Sequence, residues 1–290
     1  MQDNGEIYGM NSLSIYGDAF LDFLRDCIQN NISFKKLQSD DDLEFYFFEK
    51  IFQVCQKTEE NFQGLTRLTG EYREYHSHLY EVAKLYILYA GKYATISGLI
   101  IALRHDDIED LHKDTKSMKK VNFLDILRED GYEVALGVNF LTKQKVPHID
   151  ESRKKSKIND IKSVRLEQKF SRDEMYYKDF YDIKTLIEKL TQQSNKNLGE
   201  MLSSEQLTQL ARDIAIVRIV DRIHNLRTMP EYRYDNEKRL RKLKNTDEFL
   251  LRLAQSLNIP ELYGDLVGVL IKGYETYYRV KNNANSQFLL

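Results

Sequence analysis

Three prolines and thirteen glycines in 290 residues leave this chain few places where a helix must stop. Proline removes a backbone donor and glycine is entropically costly to order, so both punctuate regular structure. Between Pro147, Pro230 and Pro260 the apolar residues recur at helical spacing, and few stretches alternate as a strand does. The sequence therefore predicts an all-α fold. AFLDFLRDCI (19–28) and LEFYFFEKIFQVC (43–55) read as an N-terminal helical pair. VAKLYILYAGKYATISGLIIALRHDDIED (82–110) reads as two helices broken near Gly91, and NFLDILREDGYEVALGVNFLTK (122–143) as two more, turning at Asp130-Gly131. Residues 144–176 are polar and charge-dense and read as a surface insertion. Periodicity resumes in DIKTLIEKL (182–190) and is strongest in LARDIAIVRIVDRIHNLRTM (210–229), which Pro230 ends. EKRLRKLKNTDEFLLRLAQSLN (237–258) and ELYGDLVGVLIKGYETYYRV (261–280) close the fold. No internal repeat and no composition shift marks a second domain.

Charge narrows the function classes. Forty-three basic and 45 acidic residues give a formal net charge of −2. No global basic field favours nucleic acid or an anionic membrane, so any anion-binding site has to be local. The longest apolar run, ISGLIIAL (96–103), is far shorter than the ~20 residues a membrane-spanning helix needs. The opening MQDNGEIYGM has neither a basic n-region nor an apolar h-region. Cys27 and Cys55 lack metal spacing, sit in apolar segments and read as buried free thiols of a reducing compartment. The expectation is a cytoplasmic protein, with no nucleic acid or membrane partner and an oligomeric state that the sequence leaves open.

Two short segments concentrate chemistry. RHDDIED (104–110) follows the apolar run directly. On a helical wheel with His105 at zero, Asp106 falls at about 100°, Glu109 at about 40° and Asp110 at about 140°, with Ile108 on the other side. A solvated face accounts for acids alone. It accounts less well for a histidine and clustered carboxylates at the end of a core segment, whereas a divalent cation takes imidazole and carboxylate as a mixed ligand set. In DRIHNLRT (221–228), Asp221, Asn225 and Thr228 fall at i, i+4 and i+7 on one stripe, after the core-like AIVRIV (215–220). A buried polar stripe needs partners, and a metal with a phosphate ester would supply them. The plainer alternative is an ion pair between Asp221 and Arg222.

Together, HDDIED and DRIHNLRT resemble the hydrolase domain of the RelA/SpoT family, an HD-type metal phosphohydrolase fold that degrades the alarmone (p)ppGpp. HLYEVA (78–83) resembles the family's first ligand segment, RLTG (67–70) its basic-small-Gly stretch, DGYEVALGVNFLTK (130–143) the stretch after the HD helix, and FLLRLAQSLNIPELYGDL (249–266) its closing helix pair. The resemblance covers roughly residues 62–270. It implies an N-terminal helical extension (1–60), a hydrolase domain (61–270) containing a charged insertion within 144–210, and a C-terminal tail (271–290). The chain departs from the pattern at Asp107, where an apolar residue is usual, and at Arg104, where Leu is usual. The segment between Asp110 and Gly131 is also longer.

The resemblance implies His78, His105, Asp106 and Asp221 as ligands of Mn²⁺; ligand chemistry alone would also admit Fe²⁺ or Zn²⁺. The register against Val82-Ala83 favours His78 over His76 and leaves His76 at the surface. Glu109 and Asp110 are the general acid–base candidates, since a carboxylate beside a divalent cation can take a proton from activated water. Asn225 and Thr228 are placed to hydrogen-bond ribose or phosphate. Arg67 and Thr69 of RLTG, and Lys238 in a basic turn after the DR helix, are further substrate-binding candidates. His224 lies off the ligand stripe and reads as packing or a structural hydrogen bond, His112 and His148 as exposed, and Arg222 and Arg227 as scaffold ion pairs.

About twenty residues follow the hydrolase-like region, too few for a synthetase domain. Neither GxxxxGK[ST] nor GxGxxG is present to bind a nucleotide donor. The expected activity is removal of the 3′ pyrophosphate from (p)ppGpp, giving GDP or GTP. The alternatives are an HD phosphohydrolase acting on NADPH or ppApp, and a nucleotide-sensing or partner-binding module without catalysis.

Overall fold

The computed structural model describes residues 12–30, 34, 41–66, 74–111, 120–143, 173–194, 202–229 and 236–287, and among them every regular element is helical. In chain order these are α1 (Ile15–Gln29), α2 (Asp41–Asn61), α3 (Tyr75–Ala90), α4 (Ile96–Arg104), α5 (Asp107–Leu111), α6 (Phe123–Asp130), α7 (Tyr132–Leu141), α8 (173–178), α9 (Ile183–Ser194), α10 (Ser204–Arg227), α11 (Asn236–Asn245), α12 (Leu251–Ser256) and α13 (Pro260–Gln287). A π-helical turn, Thr246–Leu250, joins α11 to α12.

Helix starts coincide with side chains that close on the first free amides. Ser14 accepts from the Gly17 amide at α1, and Thr95 from the Gly98 amide at α4. Asn122 with Asp125, and Ser203 with Gln206, form reciprocal capping boxes at α6 and α10. The expected break near Gly91 is there: Gly91, at φ 53°, ends α3 and opens a short 3₁₀ turn. Gly131, at φ 87°, makes the expected corner between α6 and α7. Both angles lie in the left-handed region that glycine enters without steric penalty. Residues set apart as a C-terminal tail continue α13 through Gln287.

The charged motif differs from an uninterrupted helix. α4 stops at Arg104, His105 and Asp106 form a turn, and α5 begins at Asp107. The His105 ring Nδ1 lies 2.9 Å from the Ala102 carbonyl, the acceptor that the amide of residue 106 would use in a continued helix. Asp107, the first residue of α5, is turned inward and fully buried.

α10 is the axis of the molecule. It packs against α3, α4, α7, α9 and α13 and is buried on all sides from Leu210 to His224 apart from Arg212. The buried apolar residues of α1 and α2, among them Phe20, Leu24, Ile51 and Val54, join the same core as those of α3, α4, α7 and α10. Cys27 and Cys55 are free thiols within it. Asp213 accepts from Tyr86 Oη at 2.8 Å and Thr95 Oγ1 at 2.6 Å, knotting α10 to α3 and to the start of α4. A Cβ on Gly98 would lie 2.7 Å from Asp213 Cγ, so the knot requires glycine there. Among the described residues, no helix is long and apolar enough to cross a membrane.

Candidate metal centre

Three segments meet at the C-terminal part of α10. Residue 78 stands one turn into α3, residues 105 and 106 in the turn between α4 and α5, and residue 221 late in α10. Because α10 packs on both α3 and α4, their side chains converge in the interior. His78, His105 and Asp221 are buried, and Asp106 is half-buried. His78 Nε2 lies 3.3 Å from Asp221 Oδ1 and 3.7 Å from Asp106 Oδ2. His105 Nε2 lies 3.6 Å and 3.5 Å from the same two oxygens.

These separations are long for hydrogen bonds, whose usual range is ~2.7–3.2 Å. They suit ligands around one ion: donors ~2.1 Å from a common centre stand ~3.0–3.4 Å apart in octahedral or tetrahedral arrangement. His105 Nε2 is buried and makes no hydrogen bond among the described residues. Its Nδ1 faces the Ala102 carbonyl, which can only accept, so the neutral ring carries its proton on Nδ1 and offers a lone pair from Nε2. Two carboxylates facing two imidazoles also balance the charge of one divalent cation. The residues present therefore fit the cation that the sequence pattern implies.

The electrostatics agree. Burial disfavours the Asp221 charge, but the His105 and His78 imidazoles outweigh it and hold the carboxyl well below its usual range. Burial opposes protonation of His105, while Asp106 and Asp221 push its pKa up to about 9. Protons gathered by such a cluster are what a cation displaces on binding.

Each carboxylate has further partners that hold it. Tyr75, stacked on Phe62 with ring centroids 4.6 Å apart, donates its hydroxyl to Asp106 Oδ2 at 2.7 Å. Arg218 Nη1 lies 3.4 Å from Asp221 Oδ2, and the Asn225 amide donates to Oδ1. Arg218 is gripped in turn by Tyr177, whose hydroxyl accepts from Arg218 Nη2 at 2.7 Å and also from Arg222. Burial opposes ionisation of Tyr177, but Arg218, Arg222 and Lys143 draw its pKa down to about 8.

The remaining expectations divide. Glu109 is half-buried, accepts weakly from the Lys143 amide at 3.4 Å, and lies close enough to Arg218 and Tyr176 for its charge to act on both. Lys143 in turn lies 3.4 Å from Asp173, which Arg241 approaches to 3.0 Å. Asn225 donates its side-chain amide to Asp221, the candidate ligand one turn before it. Thr228 caps α10 by donating to the His224 carbonyl at 2.9 Å and is half-exposed. Lys238 is exposed on α11. Arg67, Thr69, His112, His148 and the Asp110 side chain lie outside the described residues.

Two other readings change. His76 is not a surface residue: it is buried, edge-on to Tyr16, with Nε2 2.9 Å from Glu74. The N-terminal helices cover it, which the local register does not reveal. Arg222 reaches the Lys242 carbonyl and Thr246 Oγ1, so the ion-pair partner of Asp221 is Arg218. Arg227 does form a scaffold pair, with Asp265 at 2.9 Å. Tyr75, Arg218 and Tyr177 were not anticipated. Arg218 stands three residues before Asp221, on the stripe that continues to Asn225, and the spacing alone was a signal for it. No protein-family model matches the chain, and no curated protein matches it significantly.

Proposed function

We propose that this protein is an HD-type metal phosphohydrolase that removes the 3′ pyrophosphate from (p)ppGpp, with Mn²⁺ as its cation. The observation that carries the reading is the convergence of His78, His105, Asp106 and Asp221, from three separated segments, within 3.3–3.7 Å of one another across the imidazole–carboxylate contacts. The order and types of these residues are those of the family the sequence resembles.

A divalent cation bound there would polarise a phosphate oxygen and lower the pKa of a bound water. The chain's own groups divide the other tasks. Glu109, on the Arg218 side of Asp221, takes a proton from the attacking water and returns one to the leaving oxygen, with Asp110 as its neighbour in that role. Tyr75, Arg218 and Asn225 hold the two carboxylates in place, so no ligand has to reorganise as charge develops. Thr228 and Lys238, with Arg67 and Thr69, are the groups assigned to ribose and phosphates.

The test is product analysis. Purified protein with Mn²⁺ is offered ppGpp, pppGpp, ppApp and NADPH in parallel. The reading expects GDP or GTP with intact pyrophosphate, no requirement for ATP, and arrest by EDTA. Orthophosphate and NADH from NADPH, with ppGpp untouched, would keep the metal centre and replace the substrate. Glu109→Gln should retain the cation and lose about two or more orders of magnitude in turnover.

A further inference from the structure

The two imidazoles of the cluster are backed by different groups. Behind His105 is a backbone carbonyl, which settles its tautomer. Behind His78 is another imidazole: His78 Nδ1 and His224 Nδ1 are 2.7 Å apart, with ring centroids 4.7 Å apart and planes tilted by 44°. Both rings are buried. A nitrogen–nitrogen contact that short holds one proton, so one ring donates and the other accepts.

The two possible assignments have opposite consequences for Nε2 of His78. If His224 donates, His78 carries its proton on Nε2, aimed at Asp221 Oδ1 only 3.3 Å away, and cannot ligate. If His78 donates from Nδ1, its Nε2 lone pair faces the two carboxylates and the ring is a ligand. We infer that His224 is a positioning residue for the metal centre: its Nδ1 accepts the His78 proton and so fixes the ligating tautomer and the ring plane of His78. This rests on reading the cluster as a cation site.

The backbone makes the arrangement economical. His224 lies three residues beyond Asp221, on the neighbouring stripe of α10. One helix thus supplies a carboxylate ligand directly and orients a histidine of α3 indirectly. Imidazole is an unusual choice for this task, since a metal-bound histidine generally donates to a carboxylate, carbonyl or water. A neutral acceptor adds no third negative charge to a centre that already has two carboxylates.

The test uses the full chain with Zn²⁺ as a diamagnetic probe. Long-range ¹H–¹⁵N spectra of ¹⁵N-histidine-labelled protein report each ring's tautomer. With Zn²⁺ bound, His78 should be protonated on Nδ1, and His224 should carry its proton on Nε2 with a bare, accepting Nδ1. A protonated His224 Nδ1 in the Zn²⁺-bound protein overturns the inference, and this needs no variant to fold. Two near-isosteric variants give an independent readout. His224→Asn keeps an oxygen acceptor where Nδ1 stood, whereas His224→Leu puts a methyl there. Zn²⁺ affinity, measured by competition with a chromophoric chelator, should fall ~10–100-fold in His224→Leu and be largely retained in His224→Asn. Equal affinities in the two variants would leave His224 as mere packing and overturn the inference while keeping the site. Absence of Zn²⁺ and Mn²⁺ uptake by the unmodified protein would instead overturn the cation site itself, and the inference with it.

Discussion

Arg104 and Asp107 pair with one another one turn apart, Nε to Oδ2 at 2.8 Å, with both side chains almost fully buried. They are two positions where the chain departs from the apolar pattern it otherwise resembles, and each answers the other. The guanidinium also reaches Glu129 at 2.7 Å and Asp130 on α6. Lys50 of α2 pairs with Asp130 at 2.6 Å, Lys57 with Glu129 at 3.3 Å, and Asn61 donates to Asp107 at 3.3 Å. α2 is therefore bound through charged groups to α6 and to Asp107, next to the turn that carries His105 and Asp106. Burial raises the Asp107 pKa to about 6 even against Arg104.

Removing one member of such a group strands the others. Arg104→Leu should lower stability by about 3–5 kcal/mol, because the buried Asp107 carboxylate loses its counter-charge and Asp130 is left with Lys50 alone. Adding Asp107→Leu should recover part of that loss. Denaturant unfolding of both single variants and the double variant measures the coupling; additive losses would mean that the pair does not act as a unit.

Ligand assignment predicts a hierarchy of metal responses. Melting temperature of the unmodified protein should rise with Mn²⁺ concentration, as binding to the folded state alone demands. Asp221→Ala should abolish that rise. His76→Ala should preserve it while lowering the starting value, since a buried ring is lost. The reverse order would show that the wrong histidine of HSH was assigned.

Asn225 and Thr228 now separate. Asn225→Ala frees Asp221 Oδ1 from its amide donor and should weaken metal binding by about tenfold. Thr228→Ala touches no ligand and should leave metal affinity unchanged while raising KM for a nucleotide substrate. Chelator competition and steady-state kinetics on the same preparations distinguish the two; a metal defect in Thr228→Ala would count against this division.

Asp213 gives a pH signature remote from the metal. Burial raises its pKa from 3.8 to about 6, although Thr95, Tyr86 and Gln209 donate to it. Between pH ~4 and ~6 the folded chain keeps a proton that the unfolded chain has released, so stability falls as pH rises through that window. The drop is on the order of 2–3 kcal/mol, one pKa unit being ~1.4 kcal/mol. Asp213→Asn has no such proton to lose. Unfolding free energies of the two proteins, measured in EDTA from pH 4 to 7, should converge or cross as pH rises; parallel curves would refute the assignment.

Helices were legible in the sequence because they depend on local causes. Scarce breakers, capping side chains and glycines at corners are all written within a few residues of the structures they produce. His78, His105, Asp106 and Asp221 were legible through residue type and order. Their supports were less so, because Tyr75 works across to the turn after α4, and Tyr177 reaches α10 from α8. Asn225 is more instructive. Spacing placed it correctly on the stripe with Asp221, but side chains four residues apart on a helix meet each other first. Its amide nitrogen donates to that carboxylate. The run RHDDIED misled differently, since a wheel presumes continuous backbone and the His105 ring competes for the carbonyl that continuity requires.

Lys143, just after α7, and Asp173, at the start of α8, meet through their side chains at 3.4 Å. The two edges of the intervening stretch are thus buttoned together, with the Lys143 amide against Glu109 and Arg241 closing on Asp173. A stretch fastened at its base can change length cheaply, at ~0.6 kcal/mol of closure entropy per doubling. Insertions or deletions between Lys143 and Asp173 would therefore leave the ends of α7 and α8 held where they are, with the Lys143 amide beside Glu109.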